Sequence, residues 1–315
     1  MKSIRRQRIG GFMLLGAIAL AVVFANSPLQ KSYFAIADLE GLKTVALALF
    51  FLNVGLELRH EIKDGILQQP KLAIVPFAAA VTGMVLPATI FGLLNLGRAT
   101  SVAWPTVISF DVAFALAVLS IAGGWLPRQA RAFVLSVAVI DDTLAILVLA
   151  LFFATSFNPI ALVSLAALSV GLFAPGLYRI RPQLDPAVSL VALPLFGFMS
   201  AGVVLGQLGQ GFDLWLFGSI AVAILIGKPA GILGGTWLVT KSRLGKLDDA
   251  ITWPLLRRVA PLFAMCFTIS LLMSELTLGD NAELHTSANA AIVLVATAMA
   301  IVSAVWLRVG SKKNV

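Results

Sequence analysis

The chain has 315 residues, of which 59% are hydrophobic and 12% charged, and its formal net charge is +8 at pH 7. Soluble domains carry about 25% charged residues, so this composition excludes an ordinary soluble globular domain and indicates a chain that folds in a bilayer. The positive charge does not indicate nucleic-acid binding, because the basic residues stand in short loops between apolar runs. The single cysteine, Cys266, excludes a disulfide framework.

The apolar runs are about 18 to 25 residues long and do not alternate with a period of two, so they predict helices. We predict an all-α polytopic membrane protein with about ten transmembrane helices in one domain, 1–315. In chain order the predicted spans are 9–26, 41–58, 72–97, 102–125, 132–154, 159–178, 186–207, 214–240, 259–279 and 286–307. The first run also resembles a signal peptide ending near Ala25, but its apolar stretch is long for one.

Basic residues occupy every second loop between these spans. They are Lys2, Arg5, Arg6, Arg8, Arg59, Lys63, Lys71, Arg128, Arg131, Arg179, Arg181, Lys241, Arg243, Lys246, Arg257, Arg258, Arg308, Lys312 and Lys313. The intervening loops hold little beyond Lys31 and Arg98, and the last holds Asp280 and Glu283. The positive-inside rule therefore predicts that both termini are cytoplasmic.

Four ionisable residues, Asp111, Asp141, Asp142 and Lys228, fall near the centres of predicted spans. Each costs about 2.5–3.5 kcal/mol at that depth, so they indicate either a buried ion pair between helices or an ion-binding site. Asp141 and Asp142 leave their helix about 100° apart, so one can be neutralised by Lys228 while the other faces a cavity that Asp111 completes. Such carboxylates hold either protons or a hard cation but poorly both, which favours the exchange of small cations for protons.

The spans that carry or face these charges also contain helix breakers. Pro105 precedes Asp111 in span four, Pro229 follows Lys228 in span eight, and Pro261 lies in span nine. A proline inside a helix kinks or unwinds it, although membrane helices also tolerate proline for packing. Interrupted spans in both halves of a chain, near midplane charges, are typical of transporter binding sites.

Several segments resemble the NhaA-type sodium/proton antiporters. They are FFLNVGLELRHEI at 50–62, SFDVAFALAVLS at 109–120, VAVIDDTLAILVLALFF at 137–153, ALPLFGFMSAGV at 192–203, LIGKPAGI at 225–232 and CFTIS at 266–270. The resemblance implies a multi-pass protein of the bacterial cell inner membrane that exports sodium or lithium as protons enter, contributing to pH and sodium homeostasis. It implies a transporter rather than an enzyme, no cofactor, no nucleic-acid partner, and leaves a homodimer open.

The resemblance also implies a fold and roles for particular residues. The fold is an inverted repeat whose two unwound helices cross at midmembrane. Asp142 is implied as the principal cation and proton site, with Asp111 opposite it, so both are the candidate ligands of the transported Na+ or Li+. Asp141 is implied to pair with Lys228 as a charge-compensating pair. A pH-sensing group is implied at the cytoplasmic mouth, made of Glu57, His60 and Glu61.

The chain departs from the family pattern at several positions. The threonine usual before the fourth-span aspartate is Phe110, the asparagine of the PLFAFANAGV-like run is Ser200, and the glycine-rich run before FTMS is LFAM at 262–265. LALFFATS at 149–156 leads almost directly to SLAALSVGLFAPG at 164–176, so two helices of the usual twelve are predicted to be absent. The segment 27–40 is short, which puts the family's dimer-forming β-hairpin in doubt.

Two alternatives remain open at this point. The departures allow a degenerate homologue that transports another ion or none. An intramembrane aspartyl protease needs two carboxylates that share one proton, which Lys228 disfavours. His285, in a loop with Asp280 and Glu283, is interpreted as solvent-facing.

Overall fold

The computed structural model describes residues 2–64, 70–153, 159–204, 206 and 212–311, and every regular element within them is helical. The α-helices are α1 Lys2–Ala25, α2 Gln30–Ala37, α3 Glu40–Asp64, α4 Pro70–Leu94, α5 Val112–Ala122, α6 Arg128–Phe153, α7 Pro159–Phe173, α8 Arg181–Ala187, α9 Leu193–Ser200, α10 Leu214–Val222, α11 Lys228–Lys241, α12 Trp253–Val259, α13 Thr268–Leu278 and α14 Ala282–Ser311. Three 3-10 helices, Ala99–Val107, Pro175–Ile180 and Ala260–Ala264, and two π-helices, Val188–Ala192 and Ala223–Gly227, lie between them.

Six described helical stretches are long and apolar enough to cross a bilayer. They are Glu40–His60, Ala73–Leu94, Arg128–Leu149, Arg181–Ser200, Leu214–Lys241 and Ala282–Val309. A seventh candidate is the bent pair Trp253–Ala264 and Thr268–Leu278, whose halves meet at 42°. Ile9–Ala25 and Leu162–Phe173 are apolar but shorter. The prediction of a polytopic all-α membrane protein is therefore confirmed, whereas the count of ten spans stays a prediction.

Many large apolar side chains point outward from these helices. Leu93 is 69% exposed, Leu151 73% and Phe173 74%. A soluble monomer rarely exposes contiguous apolar surface of this kind, whereas a lipid-facing helix does so along its length.

The described chain forms two compact units. The first consists of Met1–Gln68 and Val148–Phe212. In it α3 packs closely on α7, because a Cβ on Gly55 would lie 2.3 Å from the carbonyl oxygen of Leu168 and only glycine permits that approach. The hydroxyl of Tyr33 donates to the carbonyl of Phe198 at 2.6 Å, which ties α2 to α9.

The second unit consists of Gln69–Leu147 and Asp213–Val315. In it α4 packs along α11, α13 packs on the 3-10 helix Ala99–Val107, and α14 packs against α5, α10 and α13. The span that holds Pro229 is not broken, since it runs from Leu214 to Lys241 through the π-helix Ala223–Gly227. This unit also contains the two interrupted segments predicted near Pro105 and Pro261. The first runs from the 3-10 helix through irregular residues 108–111 to α5, and the second runs from α12 through irregular residues 265–267 to α13.

Candidate functional site

All four ionisable residues predicted at mid-span lie in the second unit. Asp141 and Lys228 are 0% exposed and Asp111 is 8% exposed, whereas Asp142 is partly exposed. Charged side chains are almost never buried in this way unless they are paired or functional.

The two interrupted segments meet where their helices unwind. The backbone N–H of Asp111 donates to the carbonyl of Met265 at 2.8 Å, so one irregular segment satisfies a polar group of the other. Two ring pairs flank this contact, Phe110 with Phe263 at 5.4 Å and Phe114 with Phe267 at 5.2 Å between centroids. Non-helical backbone is tolerated at membrane depth only when protein or water satisfies it, and here the two breaks satisfy each other.

The carboxylate of Asp111 binds the starts of two helices. Its Oδ1 accepts from the N–H of Phe114, in the first turn of α5, at 3.2 Å. Its Oδ2 accepts from the N–H of Thr268 at 3.2 Å and from the hydroxyl of Thr268 at 2.6 Å. Because helix N-termini carry unsatisfied N–H groups and a positive partial charge, a carboxylate between α5 and α13 stabilises both.

Lys228 neutralises Asp141. Its Nζ lies 2.7 Å from Oδ1 of Asp141, and both side chains are fully buried. The same ammonium donates to the carbonyl of Ile108, at the end of the 3-10 helix Ala99–Val107, where the helix dipole is negative. The first break, α6 and α11 therefore share one buried polar network.

The local structure of α11 explains how Lys228 reaches this network. A π-helical turn, Ala223–Gly227, comes directly before it, and Pro229 is the second residue of the α-helical part. Such π turns often mark functional sites in helices. A Cβ on Gly227 would lie 2.7 Å from Cα of Pro87 in α4, so glycine allows the backbone beside Lys228 to pack directly on α4.

Asp142 follows Asp141 on α6 but has a different environment. Consecutive helical side chains leave the axis about 100° apart, so Asp142 points away from the direction that Asp141 takes toward Lys228. Its partial exposure distinguishes it from the fully buried Asp141. Among the described residues no three His, Cys, Asp or Glu side chains gather as metal ligands.

The residues predicted to sense pH lie in the first unit, on α3. Glu57 lies 3.9 Å from the guanidinium of Arg181, which in turn lies 4.0 Å from Asp185. His60 is partly buried, and the side chain of Glu61 lies outside the described part of the structure. The structure thus adds Arg181 and Asp185 to the surroundings of Glu57.

Sequence reasoning missed Thr268 and was wrong about His285. The motif CFTIS gave no signal that the threonine would bond Asp111. His285 is not simply solvent-facing, since its Nε2 lies 3.4 Å from Glu275 and 3.1 Å from the amide nitrogen of Asn289. The turn between α13 and α14 is short, which brings the first turn of α14 against the last turn of α13.

Comparison with known proteins supports the resemblance over nearly the whole chain. The family model described as Na+/H+ antiporter 1 matches residues 1–182 and 174–307. A Na+/H+ antiporter NhaA of Renibacterium salmoninarum is 32% identical over 383 residues, which cover 97% of this chain and 87% of the relative. One of Streptomyces avermitilis is 32% identical over 382 residues, covering 99% and 82%, and one of Arthrobacter sp. is 31% identical over 396, covering 98% and 85%. These alignments exceed the 315 residues of the chain, so each relative carries internal segments that it lacks.

Proposed function

We propose that this chain, which belongs to the Na+/H+ antiporter 1 family, is a secondary transporter that exchanges sodium or lithium ions for protons. The observation that carries the proposal is the buried network of Asp111, Asp141 and Lys228 at the meeting point of two broken helices, beside the partly exposed Asp142. Ionisable residues in membrane spans are costly, and they are typical of ion and proton pathways.

In the proposed mechanism Asp142 carries the exchanged ion. Its carboxylate binds either a proton or a cation, so loading one expels the other, and Asp111 supports the same site from the first break. Asp141 and Lys228 hold opposite charges in contact, which keeps the surrounding apolar helices from enclosing an uncompensated charge. Proton entry drives sodium export, and with more than one proton per cation a 100 mV potential adds about 2.3 kcal/mol for each net charge.

The finer features of the fold belong to the same proposal. Ten spans, an inverted repeat and breaks that cross at midmembrane would place the site between two access routes in a bacterial inner membrane. The excess length of the alignments supports the absence of a helix pair, because the relatives carry enough additional internal residues to form two further spans. Loss of a pair keeps the orientation of every later span, in agreement with the alternating loop charges.

A pH-responsive region is proposed near the end of α3. Glu57 already pairs with Arg181, and His60 stands one turn further along the helix. Histidine is a common side chain in pH-sensing sites, and its position on the same helix as Glu57 motivates this part of the proposal.

The substitution Asp142→Asn tests the proposed exchange. It keeps the side-chain size but removes the negative charge, so we expect loss of sodium- and lithium-dependent proton movement. The measurement is dequenching of a pH-sensitive dye in inverted vesicles after addition of sodium, lithium or potassium. Asp280→Asn, at an exposed turn, is the matched control and should behave as the wild type. Normal exchange by Asp142→Asn would remove Asp142 from the site.

A second candidate function is that of a homologue that transports another ion or none. Phe110 favours it, because the residue beside Asp111 is fully buried, packs on the ring of Phe263 and offers no side-chain oxygen. Expression in a salt-sensitive strain that lacks its own antiporters distinguishes the two. Growth on sodium or lithium supports antiport, whereas no rescue at normal membrane levels supports the second function.

A further inference from the structure

We propose that Thr268 is a positioning residue for exchange, whose hydroxyl holds the Asp111 carboxylate in the orientation that cation binding requires. This inference rests on the proposed function, because it assigns Thr268 a part in the same site.

The contacts of Thr268 are directed at one carboxylate oxygen. Its hydroxyl lies 2.6 Å and its backbone nitrogen 3.2 Å from Oδ2 of Asp111, and both residues are buried. The hydroxyl contact is a short charge-assisted hydrogen bond, about twice as strong as one between neutral groups. Oδ1 of Asp111 accepts from Phe114 at 3.2 Å, so donors on α5 and α13 fix both ends of the carboxylate.

The position of Thr268 in the chain explains why it contacts Asp111 in particular. It is the first residue of α13, and the preceding Phe267 has φ −145° and ψ −80°, outside the helical region. Met265, in the same irregular segment, accepts from the backbone N–H of Asp111. The segment 265–268 therefore holds both the backbone and the side chain of Asp111.

Aromatic rings lie close to this hydroxyl. Phe110 packs on Phe263 and Phe114 on Phe267, on the two segments that meet at Asp111. None of these rings can donate a conventional hydrogen bond to a carboxylate, so none of them can replace the bond that the hydroxyl makes. Without the hydroxyl, the carboxylate is held less firmly in its orientation.

The test compares Thr268→Val with Thr268→Ser. Valine keeps the shape and removes the hydroxyl, and we expect the apparent KM for sodium and lithium to rise about tenfold or more, the size expected for loss of a charge-assisted hydrogen bond. Serine restores the hydroxyl and should return KM to within about twofold of wild type. Thr277→Val is the matched control, because its hydroxyl bonds only the carbonyl of Met273 within its own helix.

A merely structural role for Thr268 would lower the amount of folded protein without this pattern in KM. An unchanged KM in Thr268→Val, or a KM in Thr268→Ser as high as in Thr268→Val, overturns the inference. Thr268→Cys, which keeps a weaker donor, should give an intermediate KM and replaces the valine variant if that variant does not insert into the membrane.

A second measurement does not depend on transport. In Thr268→Val we expect faster hydrogen exchange of the amides at the start of α5, because Asp111 no longer holds its position on the N–H of Phe114. A wild-type protein that shows no exchange of sodium or lithium contradicts the proposed function, whereas the amide measurement still decides whether Thr268 anchors Asp111. Unchanged amide exchange in Thr268→Val contradicts the inference by itself.

Discussion

At the scale of single residues, the network depends on charges that the bilayer would otherwise exclude. Asp141 and Lys228 lie 2.7 Å apart with no exposed side-chain surface. Burying either charge alone in an apolar interior costs free energy that no partner offsets. Each charge is therefore tolerated only while the other is present. We interpret the role of this ion pair as holding the broken segment in place, since Lys228 also donates to the carbonyl of Ile108, rather than as adding net stability.

The substitution Lys228→Met tests this dependence. It leaves the Asp141 carboxylate buried without its cation, and we expect a loss of about 3–5 kcal/mol in stability, seen as a lower Tm of the purified protein in detergent. The double variant Asp141→Asn/Lys228→Met removes both charges and should recover part of that loss. A double variant as unstable as Lys228→Met alone would show that the cost does not come from an unpaired carboxylate.

The buried charges could be predicted from the sequence, but their neutral partners could not. One lysine among carboxylates of similar depth indicated a buried ion pair, and the family resemblance implied Asp141 as the partner of Lys228. Thr268 gave no such signal, because a threonine in a membrane helix can bond a carbonyl of its own helix, as Thr277 does with Met273. The bond from Lys228 to the carbonyl of Ile108 could not be predicted either, because every residue type has a backbone carbonyl.

At the scale of helices, α11 is held against α4 by glycines that allow the two backbones to touch. A Cβ on Gly231 would lie 2.3 Å from the carbonyl oxygen of Thr82 and 2.9 Å from Cα of Gly83. The hydroxyl of Thr82 also lies 2.6 Å from the carbonyl oxygen of Gly231. Since Lys228 lies three residues before Gly231, this contact determines where the lysine enters the network.

The substitution Gly231→Ala should therefore separate the two helices. We expect a loss of about 1–3 kcal/mol in stability from overpacking, measured as a lower Tm, together with reduced exchange because Lys228 moves. Gly234→Ala is the matched control on the same helix, since no atom lies within 4 Å of its added Cβ and alanine favours a helix. Equal Tm values for the two variants would argue against close packing of α4 on α11.

Helix type followed from the apolar runs, but the places of unwinding did not follow from proline alone. Pro76 and Pro87 lie inside α4, which remains a continuous helix, whereas the segments near Pro105 and Pro261 are broken. The difference lies in partners, because the released backbone groups near Asp111 and Met265 bond each other and Lys228 bonds Ile108. Those contacts join residues far apart in the chain, so a local sequence pattern cannot predict them.

At the scale of the whole molecule, the two ends of the second unit differ in charge. At one end Trp125 donates to the carbonyl of Leu307, and the guanidinium of Arg258 lies over the Trp125 ring. These contacts bring together the start of α6, with Arg128 and Arg131, and the end of α12, with Arg257. At the other end Trp215 donates to the carbonyl of Leu94, and the N–H of Asp213 bonds Ser287 near Asp280 and Glu283. Lys312 and Lys313, predicted to extend the basic end, lie outside the described residues.

This separation predicts the orientation of the second unit in the membrane. Because basic ends remain in the cytoplasm, the end of α14 near Arg308 should be cytoplasmic and the turn 279–281 should face the other side. A fluorescent protein fused after residue 315 is then expected to fluoresce, and alkaline phosphatase at the same place to be inactive. Phosphatase inserted after Asp280 should be active, since the exposed turn there lies on the opposite side. Activity of the C-terminal phosphatase fusion would contradict this orientation.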